Sequence, residues 1–125
     1  MDGVMRRKLG VSIFENLADA FYKVGIYMGL PNTGWKNKNG TGGRTCSCGS
    51  WKQHWINYSG KPWPVVCSVK ECMNEASLGA HVINQEVHGE RIVPMCSECN
   101  KRMDTFSLKG SVSCVPANVS KTCGK

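Results

Sequence analysis

The N-terminal part of the chain carries an apolar stripe at helical spacing. Its positions are Ile13, Leu17, Phe21 and Val24. Apolar residues that recur every three or four positions mark one face of an α-helix, so the pattern predicts an amphipathic helix over residues 12–24. Ser12 and Glu15 form the Ser-x-x-Glu pattern that caps a first helical turn.

The period is lost in residues 31–45, "PNTGWKNKNGTGGRT", which are rich in Gly, Asn and Lys. Such a composition is typical of a flexible linker or a mobile basic loop. Trp35 lies among basic residues there, so stacking on a nucleic-acid base is conceivable. The sequence thus predicts three parts: a helical arm over residues 1–30, a linker over 31–45 and a cysteine-rich module over 46–125.

Within that module, two apolar runs predict a β-hairpin. The runs are "LGAHVI" (78–83) and "GERIVPM" (89–95), joined by the polar "NQEVHG" turn. The following "NKRMDTFSL" (100–108) predicts a short helix with Met103, Phe106 and Leu108 on its buried side. The expected fold class is α+β.

Two cysteine pairs flank the hairpin and predict a metal site. Cys67 and Cys72 precede it, and Cys96 and Cys99 follow it. Two tight turns that each present two thiolates can complete a tetrahedral shell of four sulfurs, which suits structural zinc. A disulfide pair or an iron–sulfur cluster are the alternatives.

The other four of the eight cysteines predict a second zinc site less directly, because their spacing is irregular. Cys46, Cys48 and Cys123 are the preferred ligands. His54 or Cys114 would supply the fourth, and we favour His54. Cys114 could instead be a small core residue.

Charge and cysteine use indicate the kind of partner and the compartment. The chain has 16 basic and 9 acidic residues and a net charge of +7, which favours nucleic acid or an acidic protein as partner. No run approaches the ~18 apolar residues that a membrane span needs. We therefore expect a cytoplasmic protein with reduced cysteines and no membrane contact.

The order of Cys67, Cys72, "GAHV" and "IVPMCSECNKRM" resembles the HNH endonuclease family, of the ββα-metal or treble-clef zinc type, over residues 65–108. The resemblance implies a structural zinc that braces a hairpin and a helix. It places His81 at the general base that activates water. It places Asn100 on the helix beside a catalytic divalent ion, Mg²⁺ or another. Lys70, Lys101 and Arg102 would contact phosphate.

The chain departs from the family at Ala80, where the residue before the base commonly ligates the catalytic metal. His88 or Glu86 in the turn could substitute. His81 therefore has two further interpretations, a packed core histidine or a zinc ligand, and Asn100 could simply cap a helix.

Two functions follow. The first, which the sequence favours, is a metal-dependent nuclease that uses His81 as its base. The second is a catalytically inactive zinc-braced module that binds nucleic acid or blocks a protein partner, as small phage or mobile-element inhibitors do. The tryptophans of residues 51–64 could anchor a protein or stack on bases in either case.

Overall fold

The computed structural model describes residues 30–117 of the chain. Contacts divide the chain into two units, Met1–Leu30 and Pro31–Lys125. The helix predicted over residues 12–24 and the predicted ligand Cys123 lie outside the described residues.

A four-stranded antiparallel sheet forms the centre of the described part, in the spatial order β1-β2-β3-β4. Its strands are β1 (Trp35–Asn37), β2 (Leu78–Asn84), β3 (Val87–Met95) and β4 (Val115–Pro116). With one α-helix beside this sheet, the predicted α+β class is confirmed.

The predicted hairpin is formed by β2 and β3, and its turn is tighter than predicted. Asn84 pairs with Val87, so only Gln85 and Glu86 connect the strands. The Asn84 side chain holds this end: its Oδ1 accepts the Glu86 amide at 2.9 Å, and its Nδ2 donates to the Thr33 carbonyl at 2.8 Å. An Asn that bonds the backbone two residues ahead is a local turn signal, and it ends the strand here.

The segment predicted as a linker contains the first strand. Trp35 in β1 is fully buried, and its indole N–H donates to the Pro31 carbonyl at 2.8 Å. Its backbone exchanges hydrogen bonds with Phe106 on the side away from β2. Residues 31–45 are therefore not a linker throughout. Burial of Trp35 also excludes base stacking by its ring.

The α-helix α1 (Trp51–Ser59) was not predicted. Ser50 caps it by accepting the Gln53 amide at 2.9 Å. Gly60 ends it in the left-handed conformation, with φ 69°. Ser50 and Gln53 form a Ser-x-x-Gln capping signature, which the sequence does contain. Among residues 30–117, no helix has the length and apolarity to cross a bilayer.

Helix α1 packs on one face of the sheet. A buried cluster of Trp55, Ile92, Val115 and Ala117 joins the helix to β3 and β4. The Trp55 indole N–H donates to the Ser113 carbonyl at 2.8 Å. Trp55 is thus a core residue and not an exposed anchor for a partner.

The short helix predicted over residues 100–108 is not formed. A 3-10 turn, Cys99–Lys101, replaces it. Phe106 instead bridges to Trp35, and Leu108 bridges to Val69, so their backbone groups bond other segments. Met103, predicted on the buried side, is 77% exposed.

Gly79 in β2 marks the closest approach of the helix to the sheet. A Cβ atom at this position would lie 2.6 Å from the Trp51 carbonyl carbon and 2.9 Å from the Lys52 nitrogen. Both atoms belong to the backbone of α1, so the helix itself would have to move.

We expect Gly79→Ala to lower the free energy of unfolding by about 1–3 kcal/mol, the usual cost of overpacking. Urea denaturation measures the change. Gly42→Ala is the control, because nothing lies within 4 Å of a Cβ there; it should change stability by about 0.5 kcal/mol or less. Equal stability of the two variants would show that α1 does not rest on Gly79.

Candidate metal centre

The two cysteine pairs that flank the hairpin converge as predicted. The sulfurs of Cys67, Cys72, Cys96 and Cys99 all lie within 4.8 Å of one another. All four thiols are free, and only Cys72 is partly exposed. Four sulfurs at this separation can hold one metal ion in a tetrahedral shell. This group is called the four-cysteine site below.

Backbone hydrogen bonds shape the two loops that present these sulfurs. In the first loop, the Cys72 amide donates to the Val69 carbonyl at 3.0 Å, and Glu71 adopts a left-handed φ of 70°. In the second, the Cys99 amide donates to the Cys96 sulfur at 3.4 Å. These tight turns direct both sulfurs of each pair toward the same point.

Hydrogen bonds to sulfur favour a thiolate at Cys96. Burial alone would raise its pKa. Hydrogen bonds from the Cys99 amide, from the Asn74 side chain (Nδ2 is 3.6 Å from the sulfur) and from the Cys99 and Cys67 thiols together outweigh burial. They lower the pKa of Cys96 to about 7. Burial raises the pKa of Cys67 and Cys99. A metal cation would bind all four as thiolates and remove this cost of ionisation.

Lys109 supports the first loop and was not predicted. Its ammonium group donates to the Cys67 carbonyl at 2.5 Å and to the Cys72 carbonyl at 2.7 Å. One side chain therefore holds both ends of the loop from Cys67 to Cys72. The sequence gives no local signal for this contact, because Lys109 is distant from the loop along the chain.

Three of the four ligands predicted for the second site also converge. Ligand atoms of Cys46, Cys48 and His54 lie within 4.8 Å of one another. Cys114, the competing candidate, does not join them; it is buried, and burial raises its pKa to about 12. The core interpretation of Cys114 fits this position. Cys46 is disulfide-bonded, contrary to the expectation of reduced cysteines, whereas Cys48 is a thiol that is not part of a disulfide.

His81 lies in β2 beneath helix α1. It is 5% exposed, and its ring meets that of Trp51 edge to face, with centroids 4.4 Å apart. Burial lowers the pKa of His81 to about 4, so the imidazole is neutral at pH 7; nearby Glu90 opposes this shift. Its Nε2 is buried and has no hydrogen-bond partner among the described residues.

Asn100 lies on the other side of the sheet from His81. Successive side chains in a strand point to opposite faces, so Val82 points away from the face of His81. Asn37 pairs with Val82, and its side chain donates to the Cys99 and Arg102 carbonyls at 2.8 and 2.9 Å. The turn that contains Asn100 is therefore on the Val82 face. His81 and Asn100 do not share one site.

The remaining predicted residues differ in how accessible their side chains are to a ligand. Lys70 and Lys101 are exposed on the two cysteine loops. Arg102 donates two hydrogen bonds to the Asp104 carboxylate, at 2.9 and 2.7 Å. That pairing raises the pKa of Arg102 and lowers that of Asp104. His88 and Glu86 are exposed around the hairpin turn, and neither belongs to a metal-competent group of the described residues.

Comparison with family models, curated proteins and solved structures finds no match to this chain.

We expect Lys109→Met to weaken metal binding at the four-cysteine site by roughly 10-fold, because groups that orient metal ligands are typically worth this much. Competition with a metal chelator measures the affinity. Lys101→Met is the control: it removes a charge next to Cys99 but no bond to the first loop. Equal loss of affinity in both variants would assign the effect to charge and not to the two carbonyls.

Proposed function

We propose that this chain is a zinc-braced module that binds nucleic acid. The observation that supports it is the convergence of four free cysteine sulfurs from two loops. Four thiolate ligands favour zinc over hard cations such as magnesium. A zinc ion at this point stabilises the fold and holds both loops as one surface.

The fold proposed for this module is a variant of the treble-clef type. A cysteine loop, a β-hairpin and a second cysteine pair follow one another in the order that the resemblance to HNH proteins implies. The 3-10 turn Cys99–Lys101 stands where that resemblance implies a longer helix. We propose a cytoplasmic location, where the four free thiols of the four-cysteine site persist; the Cys46 disulfide is an exception to this pattern.

The nucleic-acid contact is proposed at Lys70 and Lys101. Lys70 lies between the first two ligands, and Lys101 lies two residues after the last. Both side chains are exposed, and the net charge of +7 adds long-range attraction to a polyanion. Arg102 contributes less to this surface, because Asp104 occupies its guanidinium.

We expect the zinc-loaded protein to bind DNA or RNA oligonucleotides with an affinity that falls as salt rises. Fluorescence anisotropy over a salt series gives the slope of log K against log salt. On duplex DNA, Lys70→Gln and Lys101→Gln should each reduce its magnitude by about 0.9, one phosphate contact apiece. Arg102→Gln is the matched control and should change it less.

Salt-independent binding, or equal slopes in all these variants, would contradict the proposed surface. The zinc content of each variant should equal that of the wild type, which shows that the brace is intact.

A protein partner is the second candidate, and exposed methionines favour it. Met73 follows Cys72 directly and is 74% exposed, and Met103 is 77% exposed near the second pair. Flexible apolar side chains of this kind recur at protein-binding surfaces. If Met73→Ser and Met103→Ser leave the oligonucleotide affinity unchanged, the two methionines take no part in nucleic-acid binding.

Nuclease activity is the third candidate. It is favoured by His81, a neutral imidazole whose Nε2 has no partner among the described residues. Three features weigh against it. The imidazole is buried, Asn100 lies across the sheet, and Ala80 cannot ligate a metal. A general base must reach its water and its metal in one site.

We therefore expect no cleavage of plasmid or single-stranded DNA or RNA by the zinc-loaded protein in Mg²⁺ or Mn²⁺. Gel electrophoresis of the substrates measures this. Cleavage by the wild type that is lost in His81→Ala but kept in His88→Ala would overturn the preference for binding. His88 is exposed and serves as the matched control.

A further inference from the structure

The ring of His54 is held in one tautomer at the N-terminal half of helix α1. His54 is fully buried, and its Nε2 lies 2.9 Å from the Pro116 carbonyl. A carbonyl oxygen can only accept, so Nε2 carries the proton. Burial disfavours the charged imidazolium and lowers the pKa of His54, and the hydrogen bond to Pro116 opposes this shift. Its Nδ1 then presents a lone pair.

That lone pair points at sulfur. Nδ1 is 3.4 Å from the Cys46 sulfur, and the Cys48 amide donates to the same sulfur at 3.4 Å. A disulfide sulfur has no proton to donate, so in the disulfide form of Cys46 the buried nitrogen faces an atom that cannot satisfy it. A cation between the nitrogen and the sulfurs would satisfy all of them.

We infer that Cys46, Cys48 and His54 form a second zinc site, which is occupied when Cys46 is reduced. The ligands would be the two sulfurs and Nδ1 of His54, and all three lie within the span that one ion requires. The bond from Nε2 to Pro116 is the contact that orients a metal-bound histidine through its other ring nitrogen. This inference is independent of nucleic-acid binding.

The reaction balances as thiol–disulfide exchange followed by metal binding. An external dithiol gives two electrons and two protons to the Cys46 disulfide. The dithiol becomes a disulfide itself, the S–S bond of Cys46 breaks, and Cys46 and its disulfide partner are each left as a thiol. Zinc then displaces the thiol protons of Cys46 and Cys48. Disulfide formation at Cys46 and zinc binding are therefore mutually exclusive.

The position of the site gives it a structural consequence. Cys46 and Cys48 precede the cap residue Ser50, and His54 reaches Pro116 in β4. The ion would tie the segment before α1 to the helix, and the helix to the far edge of the sheet. The four-cysteine site lies at the ends of the hairpin and does not make this connection.

Metal counting by mass spectrometry tests the inference. Full-length protein is reduced with a phosphine, loaded with zinc and desalted. We expect two zinc ions per chain in the wild type and in His88→Ala. We expect one in His54→Ala, one in Cys48→Ser, one in Cys96→Ser, and none in the double variant of Cys48 and Cys96.

Cys48→Ser decides the question if His54→Ala fails to fold, because Cys48 is half-exposed and little packing is lost. Two zinc ions in Cys48→Ser, or one in the wild type, would overturn the second site. Loss of zinc from Cys96→Ser alone, with one ion in the wild type, would leave the four-cysteine site standing by itself.

Alkylation of Cys48 supplies a second measurement. Zinc should protect this thiol from iodoacetamide in the wild type, and His54→Ala should abolish the protection. Equal modification of Cys48 with and without zinc would contradict ligation.

Discussion

The two cysteine loops at the ends of the hairpin bring four sulfur atoms together. The segments without regular secondary structure depend on this convergence. Residues between α1 and β2, and again between the 3-10 turn and β4, contain no regular helix or strand. The cysteine pairs, the Lys109 bonds to two carbonyls and isolated backbone bridges hold these segments. A zinc ion there would contribute on the order of 10–16 kcal/mol, as much as the whole stability of a typical domain.

The tryptophans, which the sequence suggested as contacts for a partner, form hydrogen bonds within the chain itself. Every indole N–H bonds a backbone carbonyl of the chain itself. The acceptors of Trp35, Trp51, Trp55 and Trp63 are Pro31, Arg44, Ser113 and Ala76. These hydrogen bonds bind loops to the core, since a buried indole requires a partner. Lys70, Lys101, Met73 and Met103 remain exposed on and beside the cysteine loops.

The resemblance to HNH nucleases fits the four-cysteine site better than it fits the catalytic residues. A brace needs only that two loops converge, and cysteine spacing specifies that. A catalytic site needs a base, a metal ligand and an open face at one point. The pleat of β2 separates His81 from the turn that contains Asn100, and helix α1 covers the imidazole with Trp51. Our preference for binding over cleavage rests on this separation.

The sequence by itself determined the hairpin, the four-cysteine group and the α+β class. Each depends on local spacing: alternation along two strands, and pairs of cysteines in short turns. It also contained the cap signature of α1, but the apolar stripe of that segment is too weak to predict a helix. Spacing could not determine β1, because Trp35 is buried by Phe106 and β2, which are distant in the chain.

Tertiary structure alone decided three further points. It excluded Cys114 from the second group, it bound Lys109 to the first cysteine loop, and it set His81 and Asn100 on opposite faces. The last two result from contacts between segments that are far apart in sequence, whereas His54 lies only eight residues after Cys46. Local spacing along the chain does not specify such contacts. Only the packing of the folded backbone brings these side chains together or apart.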